Sequence, residues 1–334
     1  MAFCKSRFLF LVLIAFTFNL DSVAQTYQYF RTGNAADVQA KPVAGFALMG
    51  GGKDLDPAFK WLCERASGGD LLVIRHSGDD AYNPYIKGLC KLNSVSTLIL
   101  PDRTAAADPK VVEMVKNSEA IFLSGGDQAT YINNWMNTPF NDALNEALAR
   151  GVPIGGTSAG LAVLGEFIYS AQGDKPDDAD LSSPLAMSDP FGARITVRRA
   201  FLNIPILKNT LTDTHFKKRD RMGRSLVFLA RIVQDGWSAH PREIAVEEKN
   251  AVLLEPSGAA TVVGNSAVYF MEATEAPSVC KEGQPLTFRN IAVRRVAAGG
   301  HFDVAHWSGD EGTTYSLSVV DGVIHSTAPG NAIY

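Results

Sequence analysis

Cysteine and positive charge are both scarce in this chain of 334 residues. It holds four cysteines, and its 31 lysine and arginine residues are outnumbered by 35 aspartate and glutamate residues, which gives a net charge of −4. Because the chain carries no basic excess, we expect no nucleic-acid partner. Charged residues make up 20% and hydrophobic residues 46%, which is ordinary for a globular protein with a substantial core and argues against disorder.

One apolar run near the start differs from the rest of the chain. Two basic residues precede the run at 8–18, and the small residues Ser22 and Ala24 follow it. This layout predicts a secretory signal peptide at 1–24, and the run is too short to span a bilayer. We therefore expect a secreted or periplasmic protein after cleavage near Ala24, with no stable membrane insertion. An uncleaved anchor is the alternative.

Removal of that segment would leave three cysteines, Cys63, Cys90 and Cys280. An oxidising compartment permits one disulfide among them, and we favour Cys63 with Cys90, although spacing alone does not decide the pairing. The alternative is that all three are buried thiols. Both interpretations stay open at the level of the sequence.

Apolar runs typical of strands alternate with mixed stretches typical of helices through the first half of the chain. We predict strands at 43–50, 70–76, 96–101, 120–125 and 152–156, and helices at 57–67, 82–92, 109–117 and 129–150. This alternation predicts an α/β fold in which a mostly parallel sheet is flanked by helices on both faces.

The pattern changes in the second half. Residues 173–203 are rich in aspartate, proline and serine, which predicts a surface excursion. Short strands dominate beyond residue 245. We therefore expect an α/β domain at 25–270 and a β-rich C-terminal extension at 271–334.

The sequence GTSAG at 156–160 stands where a predicted strand gives way to a helix-like apolar run. It fits G-x-S-x-G in the strand–turn–helix context that this pattern requires. A sharp turn pushes the serine side chain outward, while the flanking glycines let neighbouring backbone pass close by. The next amide N–H and the helix N-terminus then point at the group that the hydroxyl attacks. Ser158 is thus a candidate nucleophile, and a merely structural turn is the alternative.

A serine nucleophile needs a base, and the chain has six histidines. His215 follows an apolar stretch whose end would deliver it to the rim of the sheet. The segment with His301, Asp303 and His306 suggests a metal site, but alternation along a strand would put His306 on the opposite face from the other two. We therefore expect no metal there and interpret both histidines as surface or core residues.

Two glycine-rich stretches follow predicted strands. In SGGDQ at 124–128, the paired glycines would let backbone N–H groups face a ligand and supply a second oxyanion donor. An ordinary tight turn is the alternative. The stretch GGGK at 50–53 has neither dinucleotide-binding nor P-loop spacing, so we do not interpret it as a nucleotide site.

The segment 215–224 is strongly basic. Helical spacing would put Arg219 on the face of His215 but Arg221 and Arg224 on the far side, so the arginines act together only if the segment begins as a loop. Because guanidinium groups suit carboxylates, the cluster favours a substrate with carboxylate groups. A solvated helix face is the alternative.

These motifs, with D-x-H-F-x-x-R-x-R at 213–221 and E-x-x-A at 248–251, together resemble the cyanophycinase family, serine exopeptidases related to aspartyl dipeptidase (peptidase E). The match runs over about 43–254. The resemblance implies a class I glutamine-amidotransferase-like α/β fold with serine in place of the nucleophilic cysteine. It assigns Ser158 as nucleophile, His215 as general base and Glu248 as the acid that orients the histidine.

The two glycine turns predict the oxyanion donors, and the resemblance implies the substrate-binding residues. Oxyanion donors would be the N–H of Ala159 and one from the glycine loop, for which we take Gly126. The substrate-binding residues that match the family pocket are Gln128, Asp213, Arg219, Arg221 and Arg224. No cofactor is expected.

The family acts on cyanophycin, a polyaspartate with arginine on each side chain, and releases β-aspartyl-arginine. We therefore expect a serine exopeptidase that hydrolyses aspartyl peptide bonds through an acyl-enzyme. The alternatives are an aspartyl or isoaspartyl dipeptidase that acts on other short peptides, and a catalytically silent secreted binding protein. An esterase would instead recruit one of the late histidines. A homodimer stays open.

Overall fold

The computed structural model of the chain describes residue 1 and residues 26–175 and 177–334. The predicted signal peptide, apart from Met1, lies outside the described residues. In the described part of the chain, none of the helices combines the length and apolar character needed to span a membrane. Helices and strands alternate through its first half, as the sequence pattern predicts.

The strands, in chain order, are β1 (Gln28–Gly33), β2 (Phe46–Met49), β3 (Asp70–Arg75), β4 (Ser94–Ile99), β5 (Ala120–Leu123), β6 (Ile154–Thr157), β7 (Phe167–Tyr169), β8 (Val197–Arg199), β9 (Thr210–Asp213), β10 (Arg242–Val246), β11 (Asn250–Leu254), β12 (Ala259–Gly264), β13 (Ala267–Ala273), β14 (Phe288–Ala297), β15 (His301–Asp303), β16 (Thr313–Val320) and β17 (Val323–Ser326). The helices are α1 (Asp56–Arg65), α2 (Tyr82–Leu89), α3 (Arg103–Ala106), α4 (Pro109–Lys116), α5 (Gln128–Trp135), α6 (Pro139–Ala149), α7 (Ala159–Ala162), α8 (Ser183–Ser188) and α9 (Met222–Gln234). Short 3₁₀ helices lie at Pro205–Leu207 and Pro329–Asn331.

The first sheet has the strand order β1-β4-β3-β5-β6-β2-β11-β12-β15. Its central strands β4, β3, β5, β6 and β2 run parallel, and the flanking strands pair antiparallel. Strands such as β3 and β5 are continuous apolar runs because helices bury both faces of a parallel sheet. The predicted α/β class is confirmed.

A second sheet has the strand order β17-β16-β14-β13-β10-β9-β7-β8 and includes most of the strands that lie beyond residue 245. In it, β7, β9 and β10 run parallel and the other pairs are antiparallel. Strands β7 and β8 have three residues each, too few for a periodic signal in the sequence.

The β-rich segment after residue 270 continues both sheets. Strands β14, β16 and β17 extend the second sheet, whereas β15 pairs with β12 at the edge of the first. The predicted boundary at residue 270 lies inside β13. A division of the chain at this point stays a prediction.

The two sheets share one apolar core, to which α4, α5 and α6 also contribute. Leu48 of β2 and Val252 of β11 lie in the same buried cluster as Ile244 of β10 and Phe270 of β13. On its other face, the second sheet packs against α8 and α9, and the first packs against α1 and α2. This sandwich fixes the ends of β6, β9 and β10 relative to one another.

The predicted helix at 129–150 is two helices, α5 and α6. The break follows from Asn137, whose φ is +57°, and from Pro139 at the first position of α6. Thr138 caps α6 by accepting a hydrogen bond from the N–H of Asn141.

The cysteines divide between a disulfide and a thiol. Cys63 of α1 is bonded to Cys90, which directly follows α2, and Cys280 is a free, buried thiol. The favoured pair is therefore present, and the alternative of three buried thiols is wrong for Cys63 and Cys90.

Candidate active site

Ser158 forms the turn between β6 and α7. Its φ of +52° and ψ of −121° are rare for a residue with a side chain and indicate local strain. A Cβ on Gly156 would lie 2.5 Å from the carbonyl carbon of Gly160, and one on Gly160 would lie 2.0 Å from the carbonyl oxygen of Leu123. Only glycine fits at both positions, so the two glycines permit the turn that presents the serine hydroxyl.

A row of hydrogen bonds runs from Ser158 through His215 to Glu248. Ser158 Oγ lies 2.7 Å from His215 Nε2, and His215 Nδ1 lies 2.7 Å from Glu248 Oε1. His215 comes two residues after β9 and Glu248 two residues after β10, which are neighbouring parallel strands. The carboxyl ends of strands from both sheets therefore meet here. With Nδ1–H donating to the carboxylate, Nε2 can accept the serine proton.

The surroundings set the protonation states of this row. Burial lowers the pKa of His215, and the positive charges of Arg219 and Arg221 add to that effect, which outweighs the hydrogen bond to Glu248. The hydrogen bond with His215 lowers the pKa of Glu248. At neutral pH, the histidine is therefore neutral and the glutamate ionised, the state in which an imidazole acts as a base.

His215 is itself held in an unusual backbone conformation, with φ of +48°. Its N–H donates to the carbonyl of Gly50 at 2.8 Å. On the other side, Glu247 accepts hydrogen bonds from the N–H groups of Lys217 and Lys218. The imidazole is thus positioned by contacts on both sides of its residue.

The GGGK stretch, which carried no functional interpretation in the sequence, packs on this row. Gly51 has φ of +94°, and a Cβ there would lie 2.5 Å from His215 Cε1. Gly52 has φ of +75°, and its Cβ would lie 3.2 Å from the Cβ of Glu248. The sequence did contain a signal for this contact, because three consecutive glycines after a strand indicate that another group approaches the backbone closely.

The glycine loop of SGGDQ lies beside the nucleophile. A Cβ on Gly125 would be 3.5 Å from the Cβ of Ser158, which makes Gly125 the residue of the pair in contact with the serine. Gly126 is one residue further along and exposed. The hydroxyl of Tyr131 donates to the carbonyls of Ser124 and Gly125 at 3.0 and 3.1 Å, which fixes the loop. Ala159, the other predicted donor, directly follows Ser158 at the start of α7.

The basic segment begins as a turn, and α9 starts only at Met222. Asp213 is buried and accepts hydrogen bonds from Arg224 Nε at 3.0 Å and Nη2 at 2.5 Å. Arg221 donates through Nη1 to the carbonyl of Thr214 at 2.9 Å and through Nη2 to Asp180 Oδ2 at 2.7 Å. These donors are occupied within the protein, and a role of Arg221 and Arg224 in substrate binding stays a prediction.

Charge balance in this network depends on a second acid. Burial alone would raise the pKa of Asp213, but Arg224 and Arg221 outweigh it and hold the pKa below its ordinary value. Glu243 is also fully buried, and burial together with the charge of Asp213 raises its pKa well above the ordinary value. Ser225 Oγ donates to Glu243 Oε1 at 2.5 Å. Asp213 is therefore the ionised partner of the arginines, and Glu243 holds a proton more readily than an ordinary glutamate does.

Arg219 differs from the other two arginines. Its side chain is 44% exposed, and its guanidinium lies 3.7 Å from Asp180, a longer and weaker contact than the buried pairs. Gln128 is half-buried and begins α5, directly after the glycine loop. Of the predicted substrate-binding residues, these two lie on the accessible side of the structure.

Comparisons with known proteins bear on this geometry. The model of Peptidase family S51 matches residues 85–188, a range that includes Ser158 and the SGGDQ loop. The chain is 26% identical over 257 residues to the cyanophycinase of Synechococcus elongatus, covering 73% of each. It is 25% identical over 219 residues to the cyanophycinase of Geminocystis herdmanii, covering 63% of this chain and 71% of that one.

These similarities are to proteins of the cyanophycinase and peptidase E family. They support the interpretation of the chain as a serine peptidase. A crystal structure of a peptidase from an acI-B1 Actinobacterium has the same fold, with a TM-score of 0.50 and 19% identity, covering 79% of this chain and 98% of that one. The esterase does not fit the structure, because Ser158 is hydrogen-bonded to His215 and not to one of the late histidines.

The late histidines lie apart from the row of hydrogen bonds. His301 and His306 are exposed. His306 Nδ1 lies 2.7 Å from Asp303 Oδ2, so the expectation that His306 and Asp303 face opposite sides of a strand is wrong. The reason is that β15 ends at Asp303 and the chain turns back before His306. Across residues 26–175 and 177–334, no cluster of three or more histidine, cysteine, aspartate or glutamate side chains is arranged to hold a metal.

Asp54 is a residue of the site that the sequence analysis missed. Its carboxylate accepts hydrogen bonds from Thr157 Oγ1 at 2.7 Å and from the hydroxyl of Tyr82 at 2.5 Å. It thereby anchors the residue that precedes Ser158. A cavity of about 550 Å³ opens beside it, with Tyr82 and Arg75 among its walls. The sequence signal that could have identified Asp54 is its position as an acidic residue directly after a strand and the glycine-rich stretch GGGK.

Proposed function

We propose that the protein is a secreted serine-type exopeptidase that hydrolyses aspartyl peptide bonds and releases β-aspartyl-arginine from cyanophycin. The observation that carries the proposal is the hydrogen-bonded row of Ser158, His215 and Glu248 on a strained strand-to-helix turn. Relatives that bear the name cyanophycinase support the substrate class.

The reaction would proceed through an acyl-enzyme. Ser158 Oγ attacks the scissile carbonyl carbon while its proton passes to His215 Nε2, and Glu248 holds Nδ1–H and stabilises the imidazolium. The N–H of Ala159 and one from Gly125 or Gly126 would stabilise the oxyanion. Collapse of the tetrahedral intermediate breaks the C–N bond, and the leaving amine takes the proton from His215. Water then repeats the sequence on the ester.

Substrate recognition would fall mainly to Arg219. Because the donors of Arg221 and Arg224 are already bonded to Asp180, Thr214 and Asp213, Arg219 is the arginine of this segment with a guanidinium available for a substrate carboxylate. Gln128 would contribute polar contacts from the other side of Ser158. The buried residues Asp213, Arg221 and Arg224 would support the wall behind them.

One observation favours the alternative of an aspartyl or isoaspartyl dipeptidase. Asp180 accepts hydrogen bonds from both Nε and Nη2 of Arg221, which is how a substrate carboxylate would bind a guanidinium fork. With that fork occupied, fewer groups remain for a polymer with repeated charges. A short substrate with one recognised carboxylate would suffice.

The proposal places the protein outside the cytoplasm, with residues 1–24 as the signal peptide, 25–270 as the peptidase domain and 271–334 as its β-rich extension. The disulfide between Cys63 and Cys90 supports an oxidising compartment, because such bonds are rare where thiols are kept reduced.

The test is hydrolysis by the chain from residue 25 onward of cyanophycin, β-Asp-Arg, α-Asp-Arg and a simple ester, each compared with Ser158→Ala. Serine-dependent release of β-Asp-Arg from the polymer supports the proposal. Cleavage of a short aspartyl peptide without cleavage of the polymer favours the dipeptidase. Full activity of Ser158→Ala on any of these substrates contradicts the mechanism.

A further inference from the structure

The segment 216–221, here called the arginine turn, carries Arg219 and Arg221 and lies between His215 and α9. Its first residue, Phe216, is fully buried, whereas the four residues from 217 to 220 are exposed. Asp220 stands between the two arginines with φ of +48°. Because a strained, exposed turn does not hold its shape by itself, the positions of these arginines depend on what the turn is bonded to.

Tyr334 is bonded to this turn from the β-rich segment, 114 residues further along the chain. Its hydroxyl donates to Asp220 Oδ1 at 2.9 Å and accepts from the N–H of Met222 at 2.9 Å. Its ring packs edge-on against Phe216, with centroids 5.7 Å apart. Burial raises the pKa of Tyr334, so the hydroxyl stays protonated and able to donate.

The bond to Met222 fills a gap at the start of α9. The first N–H groups of a helix have no partner within the helix, and the residue before α9, Arg221, supplies no side-chain cap. The hydroxyl of Tyr334 provides an acceptor there. The same hydroxyl thus holds the end of the arginine turn and the beginning of the helix that follows it.

Tyr334 is held in turn by its own surroundings. The hydroxyl of Tyr315 in β16 donates to the carbonyl of Ile333 at 3.0 Å, and the ring of Tyr334 also packs edge-on against Tyr269 of β13. The second sheet is therefore connected to the arginine turn through Tyr334.

We infer that Tyr334 is a positioning residue that sets substrate affinity by fixing the arginine turn, and so gives the β-rich segment a part in recognition. The inference rests on the proposed function, in which Arg219 binds a substrate carboxylate. Tyr334 acts on substrate through Arg219 and leaves the row of Ser158, His215 and Glu248 unchanged.

The test compares the wild-type chain from residue 25 onward with Tyr334→Phe, Arg219→Gln and the double variant. The probes are two fluorophosphonates of equal length, one ending in a carboxylate and the other in a primary amide. Ser158 Oγ forms a bond to phosphorus, fluoride leaves, and the proton passes to His215. The concentration for half-maximal labelling rate and the limiting rate are measured separately for each probe.

Tyr334→Phe is expected to raise the half-maximal concentration of the carboxylate probe by roughly 3- to 10-fold, as for loss of one hydrogen bond that orders a binding group. The limiting rate and both values for the amide probe stay unchanged. The double variant should have the same half-maximal concentration for the carboxylate probe as Arg219→Gln alone. The control Tyr29→Phe, whose hydroxyl bonds Ser96 and Arg31 in the far edge of the first sheet, behaves as wild type.

Three results would overturn the inference: no effect of Tyr334→Phe, equal effects on both probes, or effects of Tyr334→Phe and Arg219→Gln that simply add. Thermal unfolding of each variant separates loss of folding from loss of affinity. If the wild-type chain is not labelled at Ser158, both the proposed function and this inference are contradicted. If it is labelled and Tyr334→Phe has no effect, only this inference is contradicted.

Discussion

At the scale of single residues, the site depends on a histidine that is kept neutral. Burial lowers the pKa of His215 even though it bonds an ionised Glu248. A base in that state takes up the serine proton at neutral pH without first losing one of its own. The direction of this shift determines how activity and stability depend on pH.

The pH dependence follows from the sign of the shift. The active form has neutral His215, so kcat/KM should fall as pH drops through a pKa below 6.5, the ordinary value for histidine. In the same pH range, His215 is protonated in the unfolded chain but is still neutral in the folded chain, where its pKa is lower. The contribution of His215 to stability is therefore present above about pH 6.5 and is lost as pH falls toward the folded pKa. A pH–rate profile with an acid limb above 6.5 would contradict this account.

Gly160 offers a steric test of the turn. In Gly160→Ala, the new Cβ would lie 2.0 Å from the carbonyl oxygen of Leu123, so β5 or α7 must shift. We expect a loss of about 3 kcal/mol or more in the free energy of unfolding and loss of peptidase activity. The control is Gly88→Ala in α2, where a Cβ meets nothing within 4 Å and should be neutral or stabilising. Urea unfolding of both variants measures the difference, and equal stability would refute the steric argument.

At the scale of elements, the sequence alone predicted the parallel strands of the first sheet and the strand-to-helix turn at Ser158. Strands such as β3 and β5 are recognisable because a parallel sheet buried on both faces requires continuous apolar runs. The second sheet was not recognised because β7 and β8 are too short to show a period. The role of Gly51 was missed because it depends on His215, which only the fold brings close.

The arginines illustrate the same limit. The sequence showed three arginines near the candidate base, but not that Arg221 and Arg224 would be bonded to carboxylates inside the protein. That outcome depends on Asp180 and on the burial of Asp213, neither of which leaves a periodic signal.

This buried network gives a prediction for Asp213. In Asp213→Asn, the buried Arg224 loses its ionised partner and Arg221 keeps only Asp180, so we expect a loss of about 3–5 kcal/mol in the free energy of unfolding. The control Asp310→Asn removes an exposed carboxylate and should change stability by less than about 0.5 kcal/mol. Chemical unfolding of the two variants decides the matter. A change at Asp213 no larger than at Asp310 would mean that the network does not stabilise the fold.

At the scale of the whole molecule, two sheets are packed face to face, and the site forms where the ends of their parallel strands meet. Ser158 comes from the first sheet, His215 follows a strand of the second, and Glu248 lies in the turn that joins β10 of the second sheet to β11 of the first. The catalytic geometry is therefore a property of the packed sandwich, and stabilising either sheet should preserve it.

The disulfide contributes to that stability without contacting the site. Its cysteines are 27 residues apart, and closing a loop of that length should stabilise the fold by about 3.5 kcal/mol. Cys63→Ser with Cys90→Ser should lower the unfolding midpoint and leave kcat/KM at 25 °C unchanged. A reductant should lower the midpoint of the wild type but not of the double variant, and an equal response of both would contradict the prediction.

The central claim is that Ser158 carries the acyl group during peptide hydrolysis. It is tested most directly by mass spectrometry of the enzyme quenched in acid while it turns over an aspartyl ester. The account predicts one acyl adduct, on the peptide that contains Ser158, with Ser158→Ala showing neither adduct nor turnover. Turnover without an adduct on Ser158, or turnover that survives in Ser158→Ala, would contradict it.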